Sequence, residues 1–162
     1  MANKFRKSPP VCLIISLVKL LTRKLKRSSY YSGCSIKMED GQVFTIFRHI
    51  TRYPIKNIGQ TVTFIVRFKF ARLSHNGNRI ASLIPMLLIT GFPGFQTKIY
   101  AVNKENGYWQ GMYQWESRKH LEDYLKSFVY KMMNKRAITE TISSREYSYQ
   151  HLINYIDKIK IS

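Results

Sequence analysis

Acidic side chains are scarce in this chain: 9 Asp and Glu stand against 27 Lys and Arg in 162 residues, a formal charge of +18. A hydrolase built on two facing carboxyl groups needs a matched acid and base, and so few carboxylates leave little to make one from. Cysteine is almost absent. Cys12 and Cys34 form no CxxC and stand beside no His at a ligand spacing, so neither a zinc site nor a disulfide framework is expected, and no metal is assigned. That usage suits a reducing compartment, which makes a cytoplasmic protein the expectation. There is no Gly-x-Ser-x-Gly and no P-loop, which removes nucleophile-elbow hydrolases and P-loop nucleotide chemistry. Long apolar runs are missing too. The most apolar stretch, VCLIISLVKLL at 11–21, is interrupted by Lys19 and falls short of the roughly 20 residues that span a bilayer. The basic TRKLKR at 22–27 directly after it argues against a secretory signal.

What is present is a core. Hydrophobic residues make up 44% of the chain and aromatics 14%, enough apolar surface to offset the entropy of ordering one domain. The positive charge attracts polyanions, whether nucleic acid or an anionic membrane, and anionic small molecules as well. It is unevenly spread: residues 1–60 hold 12 basic and 2 acidic residues, residues 61–162 hold 15 and 7. The chain therefore divides into a basic N-terminal extension, 1–60, and a domain, 61–162. The polar start at 1–10 is expected to be disordered. Residues 11–27 pattern as an amphipathic helix with an apolar stripe of Ile14, Leu17, Val18, Leu21 and Leu25. Such a helix lies on a membrane surface or packs on its own domain or a partner, and residues 1–30 are expected to be dispensable for the fold of the rest. An extra strand is expected at 42–50.

From residue 61 the pattern tightens. In TVTFIVRFKFAR, Phe64, Val66, Phe68 and Phe70 point one way and Ile65, Arg67 and Lys69 the other, which predicts a strand. SHNGN at 74–78 reads as a loop, and 79–90 as a helix. GFQTKIYAVNKENGYWQGMYQW alternates around Asn106-Gly107, a strong hairpin signal. Leu121, Tyr124, Leu125, Phe128, Val129, Met132 and Met133 then predict one long helix to about Arg136, with Ser117 placed to cap it. ITETISSREY supplies a fourth strand, and 149–159 a closing helix. Strand, helix, strand, strand, helix, strand is the ferredoxin-like α+β arrangement, a four-stranded antiparallel βαββαβ sheet. With both helices on one face, the other face is left bare, which implies a homodimer.

Hairpin parity places Lys98, Tyr100 and Val102 on the same face as Trp109, Gly111, Tyr113 and Trp115. An aromatic face with phenol and indole donors suits a flat, apolar ligand with a few polar groups; the same rings also serve as ordinary core or dimer interface. His120, in the first turn of the long helix, is the histidine best placed to reach a pocket, or else a surface histidine. Arg67, Lys69 and Lys98 could hold an anion by charge, or be solvated cations. The ligand-binding candidates are Arg67, Tyr100, Trp109, Tyr113, Trp115 and His120, and no residue is assigned as catalytic.

The stretch from Val62 to Tyr147, with Phe64-Ile65-Val66-Arg67-Phe68-Lys69-Phe70, Pro93-Gly94-Phe95, Lys98-Ile99-Tyr100 and Gly111-Met112-Tyr113-Gln114-Trp115, resembles the monooxygenase group of the dimeric α+β barrel superfamily. The resemblance implies a dimer of face-packed sheets with a pocket in each subunit between sheet and helices. It implies cofactor-independent oxygenation of an aromatic compound, haem breakdown, or binding of a small hydrophobic molecule. Haem is the cofactor that one branch would bring, and otherwise none is expected. The alternative reading is a nucleic-acid-binding or anionic-membrane-surface protein using its +18 charge, peripheral through the N-terminal helix. The RNA-recognition signature of sheet-platform proteins is absent, since GYWQGMYQ lacks the leading cation and the spacing.

Overall fold

The computed structural model describes residues 7–55, 58–72, 74–148 and 150–161. The expectation for the polar start therefore lies, for residues 1–6, outside the described residues. In chain order the elements are α1 (Pro9–Leu21), β1 (Leu25–Ser28), β2 (Ser35–Lys37), β3 (Val43–Arg52), β4 (Val62–Phe68), α2 (His75–Ala81), α3 (Leu83–Gly91), β5 (Phe95–Val102), β6 (Trp109–Trp115), α4 (Arg118–Leu125), α5 (Phe128–Arg136), β7 (Ser143–Ser148) and α6 (Leu152–Ile159). All the strand pairings are antiparallel, in the order β1-β3-β5-β6-β4-β7, with β2 also on β3. From β4 to β7 this is the ferredoxin-like unit. The strands before residue 61 continue the same sheet outward from β5.

Alternation sorts the side chains onto two faces. Phe64, Val66, Phe68, Tyr100, Val102, Trp109, Tyr113 and Trp115 pack under the helices with Leu88, Leu121, Tyr124, Val129 and Met133. Ile65, Ile99, Ala101 and Met112 point to the opposite side, where they meet Tyr31, Ile36, Met38, Phe44, Leu152, Tyr155 and Ile156. The second face is thus covered within the chain, by α6 and by the segment around β2. The bare face expected from a four-stranded sheet is corrected: α6 closes over it, and the Leu152 amide donates to Gln114 Oε1 at 2.9 Å to seat the helix.

Three further expectations change. SHNGN is not a loop, because Ser74 accepts from the Gly77 amide at 3.3 Å and starts α2. The long helix is two helices, since Ser127 accepts from the Tyr130 amide at 3.2 Å and opens a new first turn. Ser117 does not cap α4 through its side chain, which instead meets His120 Nδ1 at 3.0 Å.

The N-terminal helix is shorter than expected and turned around. It ends at Leu21, and Leu25 begins a strand. Cys12 and Ser16 are buried against α3, Lys19 donates to the Thr90 carbonyl at 2.7 Å, and Ser16 lies 2.9 Å from Thr90 Oγ1. Small residues permit that approach. A Cβ on Gly91 would fall 1.9 Å from the Cys12 carbonyl oxygen, so only glycine fits. Of the apolar stripe, Leu25 is buried, in β1, while Ile14, Leu17, Val18 and Leu21 do not pack on the chain and are 60%, 51%, 51% and 84% exposed.

Candidate functional site

The β5–β6 hairpin forms the floor of the site. Asn103 Oδ1 accepts from the amides of Glu105 and Asn106, and Gly107 takes φ 77°, so the chain turns within 104–107 and fixes the register. Val102 pairs with Trp109, Tyr100 with Gly111 and Lys98 with Tyr113. These side chains stand in a row beneath the helices.

Between that row and the helices lies a small cavity of about 30 Å³, lined by Phe68, Pro85, Lys98, Tyr100, Trp109, Gly111, Tyr113, Met133 and Arg136 among others. A void of that size admits a water molecule and not a ring. Gly111 keeps it open, because a Cβ there would meet the Tyr113 ring at 2.9 Å. Trp109 is also part of a much larger outer cleft of about 430 Å³, with Phe47, His75, Arg79, Val102 and Lys104. The His75 ring is stacked on Trp109 at 6.0 Å. Trp109 thus borders both the inner cavity and the outer cleft.

The inner cavity is electropositive. Lys98 is 3% exposed, and its Nζ lies 4.1 Å from the Tyr100 ring centre and 4.4 Å from that of Tyr113. No carboxylate lines the cavity among the described residues. Burial in these apolar walls holds the Lys98 ammonium well below the ordinary lysine range, and the Arg48 charge adds to the effect. Burial pushes the Tyr100 and Tyr113 phenols up, so both are protonated donors at neutral pH. Tyr113 Oη lies 3.6 Å from Met133 Sδ, and the charged neighbour of the buried Tyr100 phenol is the Arg48 guanidinium. Arg48 lies over the Tyr100 ring at 5.3 Å and donates to Ser82 Oγ at 2.8 Å. Arg136 lies over Phe70 at 4.9 Å and donates to Asn78 Oδ1 at 3.3 Å.

Of the residues expected from sequence, Tyr100, Trp109 and Tyr113 meet at this cavity. Trp115 is on the same face one step beyond. It is fully buried and packs on Phe92, Phe95 and Tyr124 without lining the cavity. Arg67 lies across the sheet, because Phe64, Val66 and Phe68 take the helix side of β4; it pairs with Asp40 and donates to Gln110 Oε1 at 3.2 Å. His120 packs on the turn of Pro93-Gly94-Phe95, where Gly94 takes φ 75° and a Cβ would fall 2.4 Å from that of His120. It lines neither the cavity nor the cleft. Sequence reasoning left out Arg48, Phe47, Arg136 and Met133. Phe47 takes the helix side by simple alternation from Phe44 and Ile46, whereas Arg48 reaches it only through the β-bulge between Ile46 and Arg48, which leaves no sequence signal.

Residues 66–159 match the model of the family described as "Putative mono-oxygenase ydhR", and the chain belongs to that family. Solved structures share the fold. The haem-degrading enzyme LmHde of Listeria monocytogenes is 13% identical with a TM-score of 0.51, over 83% of this chain and 92% of that one. A ferredoxin-fold protein of Listeria monocytogenes 4b F2365, related to antibiotic biosynthesis monooxygenases, is 11% identical with a TM-score of 0.50, over 84% and 88%. A "putative monooxygenase" of Lactobacillus acidophilus NCFM is 13% identical with a TM-score of 0.47 over 66% of this chain, which spans only 50% of that protein's length. No curated protein sequence matches this one. No described helix is long and apolar enough to cross a membrane, and the described residues include no cluster of metal-ligating side chains.

Proposed function

We propose that the chain takes a small aromatic molecule into the space between sheet and helices and acts on it as a cofactor-independent monooxygenase. Membership in a monooxygenase family supports the reaction class. The observation that carries the ligand class is the aromatic wall of Tyr100, Trp109 and Tyr113, with Trp109 bordering both the small cavity and the large cleft. The inner cavity has no histidine in its described lining and is far too small for a porphyrin, so its residues do not fit haem. Trp109 is the natural probe. Addition of a naphthoquinone or a naphthol is expected to quench tryptophan emission in a saturable way, and Trp109→Phe to remove most of that change. Quenching that is absent, or unaltered by Trp109→Phe, refutes the ligand assignment. Haemin in the same titration tests the cleft beside His75.

A homodimer is proposed with it. The support is the exposed edge strand β7 and the exposed apolar stripe of α1, either of which can bury surface against a second copy. Light scattering at micromolar concentration is expected to give twice the chain mass, and a stable monomer refutes it.

A second reading has an observation of its own. Ile14, Leu17, Val18 and Leu21 project from α1, and the exposed Arg23, Lys24, Lys26 and Arg27 follow directly, an apolar ridge beside a cationic patch that suits an anionic bilayer surface. Sedimentation with phosphatidylglycerol vesicles is expected, weakening steeply with salt and abolished by Leu17→Glu. Equal binding to phosphatidylcholine, or binding of RNA that is indifferent to Leu17→Glu, points away from the helix.

A further inference from the structure

Lys98 is an unusual thing to find inside a sheet. Its side chain leaves the middle of β5 toward the helices, is 3% exposed, and is sandwiched between the Tyr100 and Tyr113 rings at 4.1 and 4.4 Å. None of the ion pairs among the described residues includes it, and none of the described hydrogen bonds does. An ammonium buried without a counter-charge is costly, and two aromatic faces offset only part of that cost. The other charges facing the cavity make it worse. Arg48 of β3 lies over Tyr100, and Arg136 of α5 closes the far end. The titratable neighbours on β5 and β6 are phenols held protonated, Tyr100 and Tyr113, which cannot supply a negative charge at neutral pH. This setting favours the neutral amine, with its lone pair, over the ammonium.

We propose that Lys98 is the proton acceptor of the inner cavity, and that the ligand class it selects is an acidic aromatic, a phenol or an enolisable aryl ketone, held there as its anion. This deepens the monooxygenase reading and rests on it. In the step, the O–H or α-C–H bond of the ligand breaks, its electron pair stays on the ligand, and the proton forms the third N–H bond of the Lys98 ammonium. Nothing is oxidised or reduced, and net charge is conserved. The same event resolves the electrostatics of the empty site, because a buried ammonium then faces an anion at contact, with Arg48 and Arg136 adding favourable potential. Tyr100 Oη, buried beside Arg48, keeps its O–H for the anion's oxygen, because a guanidinium can only donate to it. An electron-rich anion is also the form of an aromatic compound that reacts most readily with oxygen, so the base and the family's chemistry fit in one site. Room for a ring comes from Trp109. It alone of the candidate residues borders both the 30 Å³ cavity and the 430 Å³ cleft, so swinging its indole toward the cleft merges the two.

The test uses 4-nitrophenol, whose yellow phenolate distinguishes the ionised from the neutral form by absorbance, together with its methyl ether 4-nitroanisole, which cannot ionise. At a pH one to two units below the solution pKa of the phenol, the wild-type chain is expected to bind it with the phenolate spectrum. Lys98→Met is expected to bind it at least tenfold more weakly and as the neutral phenol, with 4-nitroanisole bound alike by both proteins. Because the first readout is on the wild type, the proposal does not depend on the variant folding. Wild type that binds 4-nitrophenol as the neutral phenol overturns the role of Lys98 and leaves the aromatic site standing. Phenolate binding that persists in Lys98→Met shows that Arg48 or Arg136 suffices, and overturns it as well. Failure of both probes to bind, in the wild type and in Trp109→Ala with its opened wall, overturns both this inference and the ligand class beneath it.

Discussion

At the scale of single residues, two buried groups tie the stability of this protein to pH. Lys98 is held well below its ordinary value of 10.5 by burial. Between the folded and unfolded values the unfolded chain binds the extra proton, so stability rises with pH across that window and falls as pH is lowered. Lys98→Met is therefore expected to melt higher than wild type at neutral pH, with the advantage shrinking as pH approaches 10.5. Melting curves at a series of pH values check this, and a variant destabilised equally at every pH would mean that the amine is favourably paired. His49 lies on the other face of the sheet, 5% exposed, 5.7 Å from the Tyr31 ring and with no partner for either ring nitrogen. Burial lowers its pKa from 6.5 to about 4. The neutral form is the one the fold accepts, so stability is lost as pH falls from 6.5 toward 4. His49→Phe keeps a ring and removes the titration. It is expected to cancel roughly 1–3 kcal/mol of the acid sensitivity between neutral pH and pH 4, read from denaturant midpoints at the two ends.

At the scale of elements, the contact of α1 with α3 and the break between α4 and α5 are decided by small residues. Gly91→Ala improves helix propensity by about 1 kcal/mol in an exposed helix. Here the new methyl would fall 1.9 Å from the Cys12 carbonyl, and the helices must separate. A net loss of about 3 kcal/mol is expected, measured by urea unfolding, and a gain would show that α1 docks elsewhere. Ser127→Ala removes the side-chain bond to the Tyr130 amide and is expected to cost about 1 kcal/mol. Ser117→Ala removes no such bond from α4 and is expected to cost less than half as much in the same assay. The hairpin was fully legible: Asn106-Gly107 and the alternation around it put Lys98, Tyr100, Trp109 and Tyr113 on one face, and the observed register does the same. The helices were less so. Leu121 through Met133 keeps a helical period across the break, and only the Ser127 cap, a single serine among many, marks where the axis restarts.

At the scale of the whole molecule, the contacts of the N-terminal segment argue against sparing residues 1–30, and a deletion tests it. Strands β1–β3 pair outward from β5, and α1 covers the Leu87–Gly91 stretch of α3. Deleting residues 1–24 is expected to uncover that stretch, lowering the melting temperature and raising aggregation, as thermal unfolding with light-scattering detection would register. An unchanged cooperative melt would restore the view of an appendage. The charge of +18 belongs to the whole chain, and residues 1–60, with 12 basic and 2 acidic residues, carry more than half of it. It is carried on long side chains around a core with two well-packed faces, and it acts over distances set by ionic strength.

What the sequence determined by itself is the ferredoxin-like part of the sheet, β4 to β7, and not β1 or β2. A period of two in β4, β5 and β6 leaves one assignment of side chains to faces, and the order of elements leaves one ferredoxin-like topology, because both follow from local geometry. Four things were decided by the tertiary structure alone. The stripe of Ile14, Leu17, Val18 and Leu21 faces outward because the close approach of Gly91 to Cys12 selected the small-residue side of α1. The second face is covered because α6 returns over it. Arg48 joins the site because a bulge in β3 turns it there. Lys98 becomes a buried amine because Phe68, Pro85, Trp109 and Met133, distant in sequence, close around it. A pattern of polar and apolar residues records which way a side chain points, but the water it loses depends on everything that folds back over it.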